Sequence, residues 1–121
     1  MAVKSPHLSP MIETLTKRSD FLAAAKARRQ SMPGFTLQAR KRGVDDGDAI
    51  RVGYTCSKKV GNAVARNAAK RRLREIARAR LPEKGQPGWD YVLIGRANVT
   101  ATGPLTDLLA DLDAALAKIH G

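Results

Sequence analysis

Ser57-Lys58-Lys59-Val60-Gly61-Asn62-Ala63-Val64-Ala65-Arg66-Asn67-Ala68-Ala69-Lys70-Arg71-Arg72-Leu73-Arg74-Glu75-Ile76-Ala77-Arg78-Ala79-Arg80 is the stretch around which the chain is arranged. It holds nine of the 22 lysines and arginines and a single acid, Glu75. From Asn62 onward it is rich in Ala, Arg, Leu and Lys, all strong helix formers, with no proline before Pro82, so the composition predicts a helix capped by Asn62. On that helix Asn67, Lys70, Arg71, Arg74 and Arg78 share one face, and Ala65, Ala69, Leu73 and Ile76 line the other. One side is made to pack and the other to meet an anion. Stacked cations repel one another, and Glu75 alone is too little acid for a salt-bridged solvated surface.

Working outward, the charge is asymmetric. The 121 residues carry a formal net charge of +11, with 19 bases against 6 acids in residues 1–80 and 3 against 5 in residues 81–121. A placed positive charge of this size points to a polyanion, and nucleic acid is favoured. A membrane surface fits less well, because small alanines oppose the basic face where an interfacial helix would carry Trp, Phe and Leu. Cys56 is the only cysteine, which rules out an intrachain disulfide and a cysteine-based zinc site. No apolar run reaches the ~20 residues of a membrane span or forms a signal peptide, and the expected compartment is the cytoplasm.

Before the basic segment, residues 1–14 read as a disordered tail, with Met11 a possible second start, and residues 15–121 as one domain. Ser19 is the expected cap of a first helix running from Phe21 to Arg29. Met32-Pro33-Gly34 breaks it. Phe35, Leu37 and Ala39 then alternate with Thr36, Gln38 and Arg40 as a half-buried strand. Asp45, Asp46, Gly47 and Asp48 suit a turn, and Ile50, Val52, Tyr54 and Cys56 mark a second strand leading into the basic helix. Leu81-Pro82 is expected to end that helix. Trp89–Arg96 reads as a central strand, and Leu105, Leu108, Leu109, Leu112, Leu116 and Ile119 form the apolar face of a last helix with Pro104 near its start and Asp107, Asp111 and Asp113 opposite. The order predicts an α+β two-layer sandwich with a small, mostly antiparallel sheet.

The run Ser57 to Glu75 resembles the signature of the protein subunit of bacterial ribonuclease P, with weaker support from Lys17–Phe21 and Asp90–Arg96. The resemblance implies the element order α-β-β-(β)-α-β-α, with one strand that periodicity does not place and a left-handed β-α-β crossover around the basic helix. It also implies that a large RNA partner is the catalyst and that Mg²⁺, held mainly by that RNA, drives hydrolysis that removes the 5′ leader of precursor tRNA. By position, Arg66, Asn67, Lys70, Arg71 and Arg74 would meet the catalytic RNA, with Arg78 continuing the same face. Phe21, Phe35 and Gln38 would line a leader-binding cleft, with Lys58 and Lys59 at its margin. Two cleft positions that are often aromatic in that family are Ala25 and Gln38 here. The family's central Arg-Asn-Arg reads Arg66-Asn67-Ala68, leaving Arg72 as a neighbour able to replace the second arginine.

The chain's own chemistry favours binding over catalysis. His7 and His120 lie near the two ends, Asp45, Asp46 and Asp48 lack the rest of a calcium loop, and Walker and dinucleotide glycine patterns are missing. No protein metal site or catalytic side chain is expected. The alternative is a ribosomal-protein-like module that only stabilises rRNA; a DNA-reading helix ranks below it, because no helix-turn-helix partner precedes the basic helix.

Overall fold

The computed structural model describes residues 12–121. The tail before Ile12, with the Met11 start and His7, lies outside the described residues. Five strands and three helices follow in the order β1 (Ile12–Thr14), α1 (Arg18–Ala25), β2 (Arg28–Ser31), β3 (Phe35–Lys41), β4 (Ile50–Cys56), α2 (Ala63–Lys84), β5 (Trp89–Gly95) and α3 (Leu105–His120). They make one sheet of order β1-β4-β5-β3-β2. β5 is its centre, as its apolar run predicts. It pairs antiparallel with β3 (Leu37 opposite Leu93) and parallel with β4 (Val52 opposite Tyr91), so α2 is the crossover between two neighbouring parallel strands. β2 pairs antiparallel with β3, and β1 parallel with β4; the two antiparallel ladders are together longer than the two parallel ones.

Alternation along the strands gives the sheet two different faces. Phe35, Leu37 and Ala39 of β3, Ile50 and Val52 of β4, and Tyr91 and Leu93 of β5 face α2 and α3, where Leu73, Ile76, Leu81, Leu108, Leu112 and Leu116 close the main core. This is the expected two-layer sandwich. The other face carries Val92 and Ile94, over which α1 lays Ala24 and Phe21 beside Leu15. β3 is therefore buried on both faces from Phe35 to Ala39 and is not a half-buried strand.

Several boundaries differ from those the sequence suggests. Ile12–Thr14, assigned to the disordered tail, is a strand, because the β4 edge offers it a ladder. Lys17, not Ser19, occupies the cap position of α1, and no side chain caps that end. α1 stops at Ala25, and Arg28 and Arg29, expected to be helical, belong to the edge strand Arg28–Ser31, joined to β3 by the bond from the Met32 N–H to the Phe35 carbonyl (2.8 Å). α2 continues through Pro82 to Lys84, with the Gly85 N–H closing on the Leu81 carbonyl (2.9 Å). Pro82 removes one ladder bond without breaking the helix, since Leu81 holds that turn in the core. Among the described residues, no helix is long and apolar enough to cross a membrane.

Candidate nucleic-acid interface

The basic helix is set by its first turn. Lys58–Val60 forms a 3₁₀ turn, and Gly61 follows at φ +126°, a conformation rarely open to a residue with a side chain. Asn62 then caps α2 by accepting the Ala65 N–H at Oδ1 (3.0 Å). Ala69, Leu73, Ile76, Ala77 and Leu81 are buried, which fixes the rotation of the helix. Arg66, Asn67, Arg71, Arg74 and Arg78 are consequently exposed and Lys70 is half-buried. Asn67 to Arg78 spans about 16 Å along the axis. The expected face is therefore assembled, and Arg71, Arg74 and Arg78 line a shallow concavity of about 420 Å³ with Glu75. The Arg74 guanidinium lies 5.1 Å from the centre of the Tyr54 ring.

Ion pairing divides the cations into two groups. Among the described residues, Arg66, Lys70, Arg71, Arg74 and Arg78 have no carboxylate within salt-bridge distance, whereas Arg40, Arg42 and Arg51 surround Asp90, and Arg80 and Lys84 hold Asp113. Arg72 belongs with the structural group. It donates to the carbonyls of Ala101 and Gly103, tying α2 to the segment before α3, so it does not stand in for the arginine missing at Ala68. Two acids of α3 are used the same way. Asp113 takes Arg80 at 2.9 Å and Lys84 at 3.1 Å, and Asp111 accepts the Gly34 N–H at 2.9 Å.

On the opposite face of the sheet, a cleft of about 460 Å³ runs beside α1, lined by Thr16, Arg18, Phe21, Leu22, Ala25, Gln38, Thr55, Val92 and Ile94 and bordered by Tyr54 of β4. Phe21 seats closely because residue 53 is glycine; a Cβ there would stand 2.5 Å from its ring. Leu22 is half exposed, and Gln38 is only 6% exposed. Lys58 and Lys59 are exposed, and Lys59 joins Arg29, Thr36, Ser57 and Arg96 around a second concavity that adjoins the cleft at Ile94. Phe35 is not in the cleft. It is fully buried on the α2–α3 face, because odd-numbered β3 residues point there and the even-numbered Thr36, Gln38 and Arg40 point to the α1 face. Sequence reasoning missed Arg29 and Arg96. Arg29 was read as helical, and Arg96 stands just beyond a strand whose even positions, Val92 and Ile94, already marked the cleft face.

A buried ion cluster secures α1 to this face. Arg51 grips Asp90 with two bonds of 2.7 and 2.8 Å and reaches Asp20 of α1 at 3.4 Å; Arg42 adds a third bond to Asp90 at 2.6 Å. Burial alone raises the Asp90 carboxyl, but hydrogen bonds from Arg51 and Arg42 outweigh it and hold the group below its ordinary range. At the other side of the core the Tyr91 hydroxyl accepts the Gln86 N–H (2.9 Å) and meets His120 Nε2 at 2.7 Å. Burial, with the Arg28 charge, pushes His120 below its ordinary value. Among the described residues, no three His, Cys, Asp or Glu side chains are disposed to hold a metal ion.

Comparison with known proteins agrees with this geometry. The family model described as Ribonuclease P matches residues 10–120. The Ribonuclease P protein component of Ruegeria pomeroyi is 63% identical over 90% of this chain and 87% of its own length. That of Caulobacter vibrioides is 47% identical over 96% and 76%. The solved RNase P protein from Thermotoga maritima superposes with a TM-score of 0.70 at 30% identity, covering 90% of this chain and 99% of that one. The Staphylococcus aureus RNase P protein shares the fold at the same TM-score and 24% identity, over 88% and 94%. With the match spanning almost the whole chain and including the motif that forms α2, the chain belongs to the ribonuclease P protein component family.

Proposed function

We propose that the chain supplies ribonuclease P with two RNA-binding surfaces, one for the catalytic RNA and one for the 5′ leader of precursor tRNA. The carrying observation is the row of cations on α2 left without acidic partners while every guanidinium around Asp90 is paired. Arg66, Lys70, Arg71, Arg74 and Arg78 neutralise phosphates of the folded RNA, and Asn67 adds a directional hydrogen bond. The cleft beside α1 carries the ring of Phe21, on which an unpaired base can stack, and Tyr54 also borders it. Lys58, Lys59, Arg29 and Arg96 extend it with positive charge. With Ala25 and Gln38 at two positions that are often aromatic in the family, stacking involves fewer bases.

Mg²⁺ held mainly by the RNA supplies the activated water and stabilises the leaving oxygen when bound. The chain's residues hold the two RNAs in register and lower the repulsion between them, a positioning role without a protein acid or base in the reaction. The polypeptide by itself is then not a nuclease, and its compartment is the cytoplasm. Leader cleavage of a precursor tRNA at low Mg²⁺ tests this with protein alone, a bacterial ribonuclease P RNA alone, and both. Cleavage confined to, or strongly enhanced in, the mixture is expected. Cleavage by protein alone overturns the non-catalytic role, and tight RNA binding without enhancement would favour a purely structural RNA-binding module. Phe21→Ala should weaken binding of leader-bearing precursor about 5- to 100-fold, as expected for one lost base stack, and leave leaderless tRNA unchanged.

A further inference from the structure

The exposed cations of α2 differ in how firmly they are held. Arg66, Arg71 and Arg78 are exposed and, among the described residues, their guanidinium groups make no hydrogen bond or ion pair, whereas Arg74 lies over the ring of Tyr54, its Cζ 5.1 Å from the centroid. Tyr54 sits on the α2 side of β4 and packs against the main core, so its ring is anchored below the middle of the basic row. Its hydroxyl makes no hydrogen bond among the described residues. A guanidinium resting on a fixed ring loses less freedom when it meets a phosphate than one on a free side chain, and its outer N–H groups remain available.

We infer that Tyr54 is a positioning residue of the RNA-docking surface, holding the Arg74 guanidinium flat over its ring so that it meets an RNA phosphate already oriented. The inference rests on the reading of α2 as the surface that docks the catalytic RNA. Tyr54 itself need not touch the catalytic RNA, and Arg71 and Arg78 on either side depend on it less.

The test measures the affinity of the full chain for an in vitro transcribed bacterial ribonuclease P RNA over a range of salt, together with the thermal midpoint of each free protein. Tyr54→Phe keeps the ring and should bind within twofold of the wild type. Tyr54→Leu should bind about two- to fivefold more weakly, the size of one exposed cation–π contact. In an Arg74→Ala background Tyr54→Leu should cost nothing further, which a general loss of packing would not reproduce. Arg74→Lys keeps the charge and leaves the core untouched, and it should lose a similar factor; this variant carries the test if Tyr54→Leu does not fold. Wild-type binding by Arg74→Lys or by folded Tyr54→Leu overturns the inference, as does an equal loss from Tyr54→Leu with and without Arg74. If Arg74→Ala binds RNA as the wild type does, the docking role of α2 fails at this position and the inference falls with it.

Discussion

At the scale of single residues, the ionisable groups that hold the fold are the buried ones, and they are satisfied in different ways. Asp90 is fully buried between Arg51, Arg42 and Arg40, so its charge is matched by partners that are themselves partly desolvated. Asp90→Asn leaves those guanidiniums uncompensated and should cost about 3 kcal/mol or more, read from the urea midpoint, with α1 loosened through the Asp20–Arg51 link. His120 is the opposite case, a ring kept neutral. The Tyr91 hydroxyl already accepts from Gln86 and has its own proton to give to Nε2, while Arg28 nearby opposes a second positive charge. Because the native pKa is lowered, the unfolded chain binds more protons in the window between its ordinary value of about 6.5 and the lower native one, and stability falls as pH falls through that window. Unfolding midpoints of the wild type should drop on the acid side of pH 6.5, and His120→Gln should flatten that slope; an unchanged slope would remove His120 from the account. Phe35 shows how much of the site one residue can reveal. Its alternation with Leu37 and Ala39 had already assigned it to the apolar core face, and placing it in the cleft by resemblance overrode the better local signal.

At the scale of elements, what could be read in the sequence followed from whether an element's stability is local. α2 has a strong cap, good formers and a two-sided pattern, so its start, its buried stripe and its cationic row were all legible, as were β4, the central β5 and the leucine face of α3. β1 and β2 were not. Arg28-Arg29-Gln30-Ser31 has no apolar alternation, because an edge strand is held by its ladder to β3 and by Arg28 donating to the carbonyls of Lys118 and Ile119 at the end of α3, contacts 90 and 91 residues away in sequence. The cleft was legible only in part for the same reason, since one of its margins is made by β2 and its wall by α1 lying across the sheet. The end of α2 was also misjudged, because burial of Leu81 outweighs the proline beside it. The start of that helix gives the element-scale prediction. Asn62 is the one side chain capping α2, so Asn62→Ala should cost about 1 kcal/mol in a denaturant titration, while Asn62→Asp should hold near the wild-type value. Equal stability of the alanine variant would mean that the turn at Gly61 alone fixes the helix start.

For the whole molecule, the net charge of +11 acts in opposite directions on folding and on binding. In the free protein the unpaired cations of α2 repel one another, and Glu75 offsets only part of this; salt screens the repulsion and should leave the fold unharmed or slightly firmer. In the proposed complex the same charges would displace counterions from RNA, so salt should weaken association. If the five cations of α2 each neutralise one phosphate, that face alone contributes a slope of about −4 to log affinity against log salt. Exchanging Arg71 and Arg78 for glutamine together should reduce the magnitude of the slope by about 2, and weaken binding at low salt while converging toward the wild type at high salt. The same double variant should unfold no earlier than the wild type at low salt, since among the described residues neither side chain has an ion-pair or hydrogen-bond partner. Denaturation and RNA titration over one salt series would separate the two effects. A variant with lower stability and an unchanged slope would make these arginines part of the scaffold and move the RNA contact elsewhere. A shallower slope with stability kept would mark Arg71 and Arg78 as side chains that serve the RNA partner and not the fold.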